Sequence, residues 1–335
     1  MIIESSAPTR VDLEGGTIDI WPLYLFHPRA MTVNFALSLR ATVRIEERND
    51  RRIILESRDR GERFETSVDR VELLGREGRL ELISKIVHFF RPTTGFNLVA
   101  NSEAPAGAGI SGSSALAIAL IGALNRLTGE RYEARQFIPL AANLETMVIK
   151  VPAGVQDYYP AFYGSVSCLH YGPGGIDREH LAIDETELAR RFVICYTGEP
   201  RLSGINNWDI LKRHIDGDAD LFGIFERIRD SAAEIRQALL ANDWEAVSKT
   251  MRAAYPNRKR LAPAITTPHM DDLVETAMAH GAEGAKVCGA GGGGCIAFIC
   301  RPERKEELER ALRKQDGAEL LDWKVSREGL VVNSS

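Results

Sequence analysis

The sequence predicts an α+β fold, and three features of the chain carry that prediction. Residues 32–46 alternate between apolar and polar side chains, which is typical of a long half-buried strand. Residues 113–127 are apolar on nearly all sides, which indicates a buried helix. Strand and helix patterns occur in both halves of the chain, without the regular βαβ alternation of a doubly wound sheet.

The first half of the chain contains further strand and helix patterns. Strands are predicted at "RRIILES", "RFETSVD", "GFNLVANSEAP" and "SVSCLHY". Helices are predicted at "GRLELISKIVHFF" and at "EARQFIPLAANLETMVIK", where Pro139 is expected to kink or restart the second helix. The stretch "VPAGVQDYYPAFYG" that follows is expected to be a loop or a broken element.

The character of the chain changes near residue 173, where "GPGGIDREH" is rich in turn-forming residues. We therefore predict two domains, residues 1–175 and residues 176–335. The second half contains a strand at "RFVICYTG", three helical patterns over about 205–257 and a helix over 270–280. After these, "AKVC" and "CIAFIC" flank a glycine run, and a charged helix at "PERKEELERALRKQ" precedes short final strands.

The composition of the chain limits the classes of protein to which it can belong. With 335 residues and 44% hydrophobic content, it can hold roughly two domains with a substantial core. A net charge of -5 gives no sign of a nucleic-acid or membrane partner. We find no signal-peptide pattern and no membrane-spanning apolar run, so a cytoplasmic location is expected. The five cysteines are irregularly spaced and are expected to be buried, reduced thiols.

A run of glycine and serine, "PAGAGISGSSA", lies directly before the apolar helix. A helix start offers unpaired N–H groups and a partial positive charge, glycine allows close approach, and serine hydroxyls add donors or a ligand for Mg²⁺. Together these features predict a phosphate site. The alternative is a flexible loop that caps a buried helix. The pattern G-x-x-x-x-G-K-[ST] is absent, which excludes a Walker-type loop.

Two further segments are rich in glycine. "KVCGAGGGGCIAFI" contains G-x-G-x-x-G, but a strand pattern follows it where dinucleotide binding requires a helix. The alternative for this segment is a tight turn packed against another backbone. In "APTRVDLEGGTID", Gly15 and Gly16 break a short strand that is flanked by Arg10 and Asp19. Alone, this pattern also fits a strand and turn with surface charges.

In order and spacing, the three segments resemble the motifs of the GHMP kinases, the superfamily of galactokinase, homoserine kinase, mevalonate kinase and phosphomevalonate kinase. "APTRVDLEGGTID" is similar to motif one of its sugar kinases, "PAGAGISGSSA" to the phosphate-binding motif two, and "KVCGAGGGGCIAFI" to motif three. "CYTGEPRLSG" resembles the heptose 7-phosphate kinase branch, and fucokinases share similar motifs. The resemblance implies a ribosomal protein S5 domain 2-like N-terminal domain and a ferredoxin-like C-terminal domain.

The resemblance also implies a site for ATP and Mg²⁺. It assigns these residues to the nucleotide: Pro105, Gly107, Gly109, Ser111, Gly112, Ser113, Ser114, Gly291 and Gly292. Glu145 matches a magnesium ligand on a helix, and Ser113 is a second candidate ligand. A one-residue shift in the alignment pairs Ser113 with Ser114, so the sequence leaves open which hydroxyl faces the metal. A solvated helix face is the alternative for Glu145.

The catalytic residues that the resemblance implies are Asp157 and Arg10. Asp157 lies in a G-x-x-D context with Gly154 and matches the base that approaches the acceptor hydroxyl. Arg10 matches the motif-one cation, whose fixed charge favours an ionised Asp157. The alternative for Asp157 is a cap at the start of a helical turn.

The substrate residues that the resemblance implies begin with Asp19, which matches a motif-one aspartate that binds sugar hydroxyls in galactokinases. Gly16 and Thr17 stand where galactokinases have a glutamate and a histidine, as in the heptose and fucose branch. Gly154 and Tyr158 complete the predicted substrate site.

The function that the resemblance implies is an ATP- and magnesium-dependent sugar kinase. Its acceptor would be the anomeric C1 hydroxyl of a heptose 7-phosphate or a related sugar, and Lys150 and Arg201 are candidates for binding a phosphate on that sugar. One alternative is a kinase of a non-sugar alcohol such as a mevalonate-like acid, which the carboxylate of Asp19 would repel. The other is a non-catalytic sugar or ATP sensor, but such proteins usually lose catalytic residues that are present here. Apart from the small molecule, no nucleic-acid or membrane partner is expected, and the chain is expected to be a monomer or homodimer.

Overall fold

The computed structural model describes residues 1–74, 80–201 and 207–335, which form two β-sheets covered by helices. The strands are β1 (Ile2–Glu14), β2 (Met31–Arg48), β3 (Arg52–Ser57), β4 (Glu62–Ser67), β5 (Gly95–Ser102), β6 (Val166–Gly172), β7 (Gly175–His180), β8 (Phe192–Tyr196), β9 (Ala282–Val287), β10 (Cys295–Cys300), β11 (Glu319–Leu320) and β12 (Val331–Ser334). Within the described ranges, the first sheet has the order β12-β1-β2-β5-β3-β4, with β6 beside β2 and β7 beside β6. The second has the order β11-β8-β10-β9.

The α-helices of the described chain are α1 (Glu81–Phe90), α2 (Gly112–Leu127), α3 (Phe137–Ile149), α4 (Tyr158–Tyr163), α5 (Glu185–Arg191), α6 (Asn207–Ile215), α7 (Ala219–Leu240), α8 (Trp244–Lys259), α9 (Pro268–Ala279) and α10 (Lys305–Leu312). Short 3₁₀ turns occupy Leu23–Phe26, Val68–Leu73, Ala134–Gln136 and Pro302–Arg304. No helix in the described ranges combines the length and the apolar character that a bilayer crossing needs.

Strand β2 organises the first sheet, because its 18 residues are long enough to take different neighbours at its two ends. Its first residues pair with β6, its later residues pair with β5, and β1 runs antiparallel along its other edge. The register between β1 and β2 shifts between Pro8 and Arg10, and again between Asp12 and Glu14. Such bulges re-aim side chains, and these lie in the part of β1 that contributes to the site described below.

Apolar side chains join the two sheets and their helices into continuous cores. Helices α1 to α4 cover one face of the first sheet, and buried residues such as Leu98 of β5 and Ile118 of α2 share that core. A second core contains residues of both sheets and of α7 and α8, and there the rings of Phe35 and Phe192 lie 5.9 Å apart. Helices α9 and α10 pack on the second sheet through residues such as Leu273.

The predicted α+β class is confirmed, and the predicted strands and helices in the described ranges are present with shifted ends. Pro139 lies in the first turn of α3, where its missing N–H group costs no helical hydrogen bond. Residues Tyr158–Tyr163, which directly follow Asp157, form the short helix α4 inside the segment predicted to be a loop or a broken element. All five cysteines are free and buried, as expected.

The region near residue 173 contains the turn that its composition predicts, at residues 173–174. It is a β-hairpin in which β7, a strand of mostly polar residues, pairs with β6. The predicted boundary at residues 175/176 falls at the first residue of β7, and β12 returns to the first sheet. The division into two domains stays a prediction. Residues 202–204 of "CYTGEPRLSG", 205–206 of the helical pattern that follows and 78–79 of "GRLELISKIVHFF" lie outside the described residues.

Candidate active site

Two clefts lie side by side where the three glycine segments meet. We call them the glycine cleft, which residues 105–109 and 111–113 line, and the carboxylate cleft, which Asp19, Glu145 and Asp157 line. Residues that line both clefts are Ser113, Glu145, Ile149 and Arg201. The two clefts therefore adjoin each other at these four side chains.

The glycine loop before α2 has the geometry of an anion site. Gly107 and Gly109 both have positive φ, at 70° and 75°. A Cβ atom on Gly109 would lie 2.8 Å from the carbonyl oxygen of Cys288, so only glycine fits this position. Ser111 precedes the helix, and its buried hydroxyl has no hydrogen-bond partner in the described structure. The helix start and the unpaired hydroxyl fit a phosphate group.

The structure separates the residues that were assigned to the nucleotide. Those of motif two line the glycine cleft, except that Ser114 lines the carboxylate cleft. Gly291 and Gly292 line neither cleft in the described chain, and their contact with the nucleotide stays a prediction. A Cβ atom on Gly291 would lie 2.4 Å from the carbonyl oxygen of Ile265, and one on Gly292 would lie 3.1 Å from that of Ala264. A side chain at either position would crowd the neighbouring backbone, which explains why both residues are glycine.

Other glycines of motif three approach motif two. A Cβ atom on Gly294 would lie 2.7 Å from the carbonyl oxygen of Ala108, and one on Gly289 would lie 2.9 Å from that of Gly109. The amide of Cys295 also donates to Ala108 at 2.7 Å. Motif three is thus a turn that packs closely against the glycine loop before α2.

Arg10 and Asp157 are in direct contact although they are far apart in the sequence. Nε and Nη2 of Arg10 donate to Oδ1 of Asp157 at 2.9 and 2.6 Å, and Nη1 donates to the carbonyl of Gly109 at 3.1 Å. Burial opposes the charge of Arg10, but Asp157 and Asp12 outweigh that effect and raise its pKa. Asp157 does not cap α4 with its side chain, which excludes the capping alternative. No described residue donates to its Oδ2, and the side chain is 22% exposed in the carboxylate cleft.

Glu145 is buried on α3 and is not on a solvated helix face. Its Oε2 accepts hydrogen bonds from Oγ of Ser114 at 2.9 Å and from the hydroxyl of Tyr158 at 2.8 Å. Burial raises its pKa, against the hydrogen bonds from Ser113, Tyr158 and Ser114. No described cation forms an ion pair with Glu145. The predicted substrate residue Tyr158 lines the carboxylate cleft but directs its hydroxyl to Glu145.

Asp19 lies at the other side of the carboxylate cleft and is held by two backbone amides. The N–H groups of Thr17 and Gln156 each donate to one of its oxygens at 3.0 Å. Burial raises the pKa of Asp19 to about 6, against the hydrogen bond from Gln156 and with a further contribution from Asp157. Each carboxylate oxygen of Asp19 can accept a further hydrogen bond.

The predicted substrate glycines Gly16 and Gly154 make room for the carboxylates of Asp12 and Asp19. A Cβ atom on Gly154 would lie 2.0 Å from Oδ2 of Asp19, and one on Gly16 would lie 2.4 Å from Oδ2 of Asp12. Thr17 has a positive φ of 81°, and this conformation directs its N–H group to Asp19. The predicted residues Gly16, Thr17, Asp19 and Gly154 thus form one packed unit.

Three buried charged residues next to the site were not identified from the sequence. Nζ of Lys286 lies 3.4 Å from Asp12 and 3.1 Å from Glu14, and Asp12 in turn lies 3.8 Å from Arg10. Asp12 and Glu14 lie on β1 together with Arg10. This closeness to Arg10 was the only sign in the sequence that they lie near the site.

Arg258 of α8 was also not identified from the sequence. It donates to the carbonyl of Gly16 at 3.0 Å, the hydroxyl of Thr17 at 2.6 Å and the carbonyl of Gly289 at 2.7 Å. Arg258 therefore links the loop that carries Asp19 to motif three.

Comparison with protein families agrees with this geometry. Residues 81–165 match the GHMP kinases N terminal domain, and residues 235–318 match the GHMP kinases C terminal family. The first range contains α2 and the glycine loop, and the second contains α8 and motif three.

Individual proteins are similar along the chain. A D-glycero-alpha-D-manno-heptose 7-phosphate kinase from Campylobacter jejuni is 27% identical over 98% of both chains. A mevalonate kinase from Pyrococcus horikoshii is 30% identical over 70% of this chain and 68% of its own length. The crystal structure of a D-glycero-D-manno-heptose 1-phosphate kinase from Bacteriodes thetaiotaomicron has a TM-score of 0.80, with 22% identity over 99% of both chains. The chain therefore belongs to the GHMP kinase family, whose members are kinases that phosphorylate a hydroxyl group.

Proposed function

We propose that this kinase transfers the γ-phosphoryl group of ATP to a sugar hydroxyl. The observation that carries the proposal is the meeting of two clefts at shared side chains. The glycine cleft fits a nucleotide phosphate chain, and the carboxylate cleft presents Asp19 and Asp157 to a polyhydroxylated acceptor. The phosphoryl group then passes from ATP in the glycine cleft to the acceptor in the carboxylate cleft.

In this proposal Asp157 acts on the acceptor hydroxyl. Its Oδ1 is occupied by two bonds from Arg10, which leaves Oδ2 as the atom that accepts the hydroxyl proton. The bond from Arg10 to the Gly109 carbonyl fixes this pair relative to the phosphate loop. Asp19 orients the acceptor, because its two oxygens, each held by one backbone amide, can accept further hydrogen bonds from hydroxyl groups.

The residues between the clefts fit a magnesium ion. Glu145, Ser113 and Ser114 offer hard oxygen ligands, which Mg²⁺ prefers. Glu145 is also a buried carboxylate without an ion-pair partner in the described chain, and a bound cation would compensate its charge. When bound, Mg²⁺ would neutralise negative charge on the phosphates.

For the substrate we propose a heptose 7-phosphate or a related sugar, phosphorylated at its anomeric C1 hydroxyl. The Campylobacter heptose 7-phosphate kinase, similar along nearly the whole chain, supports this choice. The similarity to mevalonate kinases favours mevalonate as a second candidate. Asp19 favours the sugar over mevalonate, because both of its oxygens can accept hydrogen bonds from an acceptor that carries several hydroxyl groups.

The proposal is tested by measuring ATP consumption against heptose 7-phosphate, fucose, galactose and mevalonate, each with and without Mg²⁺. We expect turnover with a sugar, and loss of turnover when Mg²⁺ is removed. Turnover with mevalonate alone would replace the sugar proposal. Sugar binding by calorimetry without any turnover would indicate a sensor.

A further inference from the structure

Arg201 is a cation at the junction of the two clefts. None of the roles in the proposed reaction is assigned to it. It follows β8, is half-buried, and is the only basic residue that lines both clefts in the described chain. Its backbone amide donates to the carbonyl of Gly107 at 3.2 Å, which ties its backbone to the glycine loop before α2. The position of the guanidinium is therefore coupled to that loop.

Two glycines make room for the Arg201 side chain. A Cβ atom on Gly109 would lie 3.0 Å from Nε of Arg201, and one on Gly289 would lie 2.8 Å from its Cζ and 2.9 Å from Nη2. These glycines come from motif two and motif three. The guanidinium thus lies in a slot between two backbones, and a larger residue at either position would displace it.

The Arg201 guanidinium has no protein partner in the part of the chain that the structure describes. None of the ion pairs or side-chain hydrogen bonds found there involves it, whereas Arg10 is bound to Asp157. Burial lowers the pKa of Arg201, and the charge of Asp157 opposes this effect. Because the guanidinium lines both clefts and no described anion pairs with it, it is available to bind an anionic group of a ligand there.

We propose that Arg201 binds the phosphoryl group as it passes between the clefts, and is thus a catalytic residue of the reaction. This inference rests on the proposed function. In the transfer, the bond from the γ-phosphorus to the β–γ bridging oxygen of ATP breaks, and a bond from the acceptor oxygen to that phosphorus forms. The hydroxyl proton passes to Asp157, and the products are ADP and a phosphate ester. Arg201 stays charged and stabilises the equatorial oxygens.

The test compares Arg201→Gln with the wild-type chain in two assays. We expect kcat to fall roughly 10³-fold, which is the scale of an arginine that stabilises this transition state. By calorimetry with Mg²⁺ and no sugar, the Kd for ATP should rise about tenfold while the Kd for ADP stays within about twofold, because only ATP has the γ-phosphate. This second assay needs no sugar substrate, so it tests Arg201 even if the proposed sugar activity fails.

The matched control is Arg191→Gln. Arg191 is also half-buried, pairs with Glu187 at 2.6 Å and lies over the ring of Trp244, away from both clefts. It should leave kcat and both Kd values unchanged. If Arg201→Gln does not fold, Arg201→Met, which keeps an apolar stem, takes its place.

Three results would overturn the inference. Equal weakening of ATP binding and ADP binding would show that Arg201 only holds the glycine loop before α2 in place. A raised KM for a phosphorylated sugar, with ATP binding unchanged, would assign Arg201 to the phosphate of the acceptor. A kcat within about twofold of wild type would exclude a contact with the phosphoryl group.

Discussion

At the scale of single residues, the site separates three carboxylates by their surroundings. Asp157 is bound by a guanidinium, Glu145 by hydroxyls, and Asp19 by backbone amides. Carboxylates in different surroundings can hold different protonation states and perform different roles. The proposed division into base, metal ligand and substrate anchor follows from these partners.

The role of Asp157 can be tested by Asp157→Asn, which keeps its shape and removes its charge. We expect kcat to fall about 10²–10⁴-fold with both substrates still bound, as for the loss of a general base. Adding Arg10→Ala should cost less than the product of the single effects, since both residues act on one step. Steady-state kinetics and calorimetry measure these quantities. Asp177→Asn, on the exposed face of β7, is the control, and near-normal turnover in Asp157→Asn would remove the assignment.

The pKa of Asp19, which burial raises to about 6, predicts a pH dependence for sugar binding. A raised pKa means that the carboxylate takes up a proton as the pH falls through about 6, and it then loses acceptor capacity. The Kd for the sugar should rise toward tenfold per pH unit below that value. Asp19→Asn should bind sugar weakly at all pH values, with ATP binding intact. A wild-type Kd that is flat between pH 5 and pH 7 would contradict this role.

At the scale of elements, the sequence was informative wherever the signal was local. The alternation of β2 and the apolar character of α2 each depend on neighbouring residues, and both elements are found as predicted. Strand β7 was missed because its mostly polar residues show no apolar alternation. The contacts of Arg258 with Gly16 and of Lys286 with Glu14 join residues 242 and 272 positions apart, and no local pattern contains that information.

At the scale of elements, Ile20 and Gly154 form an isolated β-bridge, and a methyl group added at Gly154 should disrupt this contact. In Gly154→Ala, the Cβ atom would overlap Oδ2 of Asp19, so that carboxylate must move. We expect sugar affinity to fall more than about tenfold, the scale of one lost charged hydrogen bond, while the Kd for ATP stays unchanged. Gly174→Ala is the matched control, because its Cβ atom would meet nothing within 4 Å. Unaltered sugar binding in Gly154→Ala would show that Asp19 is not an anchor.

At the scale of the whole molecule, buried charges join the second sheet to the first next to the site. Lys286 of β9 contacts Asp12 and Glu14 of β1, and all three side chains are at most 4% exposed. The charges of Lys286 and Arg10 outweigh burial, which acts in the opposite direction, and lower the pKa of Asp12. The same cluster therefore supports both the contact between the sheets and the position of Arg10.

Lys286→Met removes the cation and leaves two buried carboxylates without it. We expect the free energy of unfolding at pH 7 to fall by about 3–5 kcal/mol, as for a broken buried pair. Because the pKa of Asp12 is lowered in the folded wild type, its stabilisation is present above an unfolded value of about 3.9 and is lost on acidification. The difference between variant and wild type should therefore persist from pH 7 down to about 4 and narrow as the pH falls below about 4, through the lowered folded-state pKa of Asp12. Lys259→Met is the matched control: its pair with Asp271 at 2.8 Å is exposed and should contribute about 0–1 kcal/mol. Chemical denaturation of both variants across this pH range measures the effect, and equal losses for the two lysines would show that the buried cluster does not stabilise the contact between the sheets.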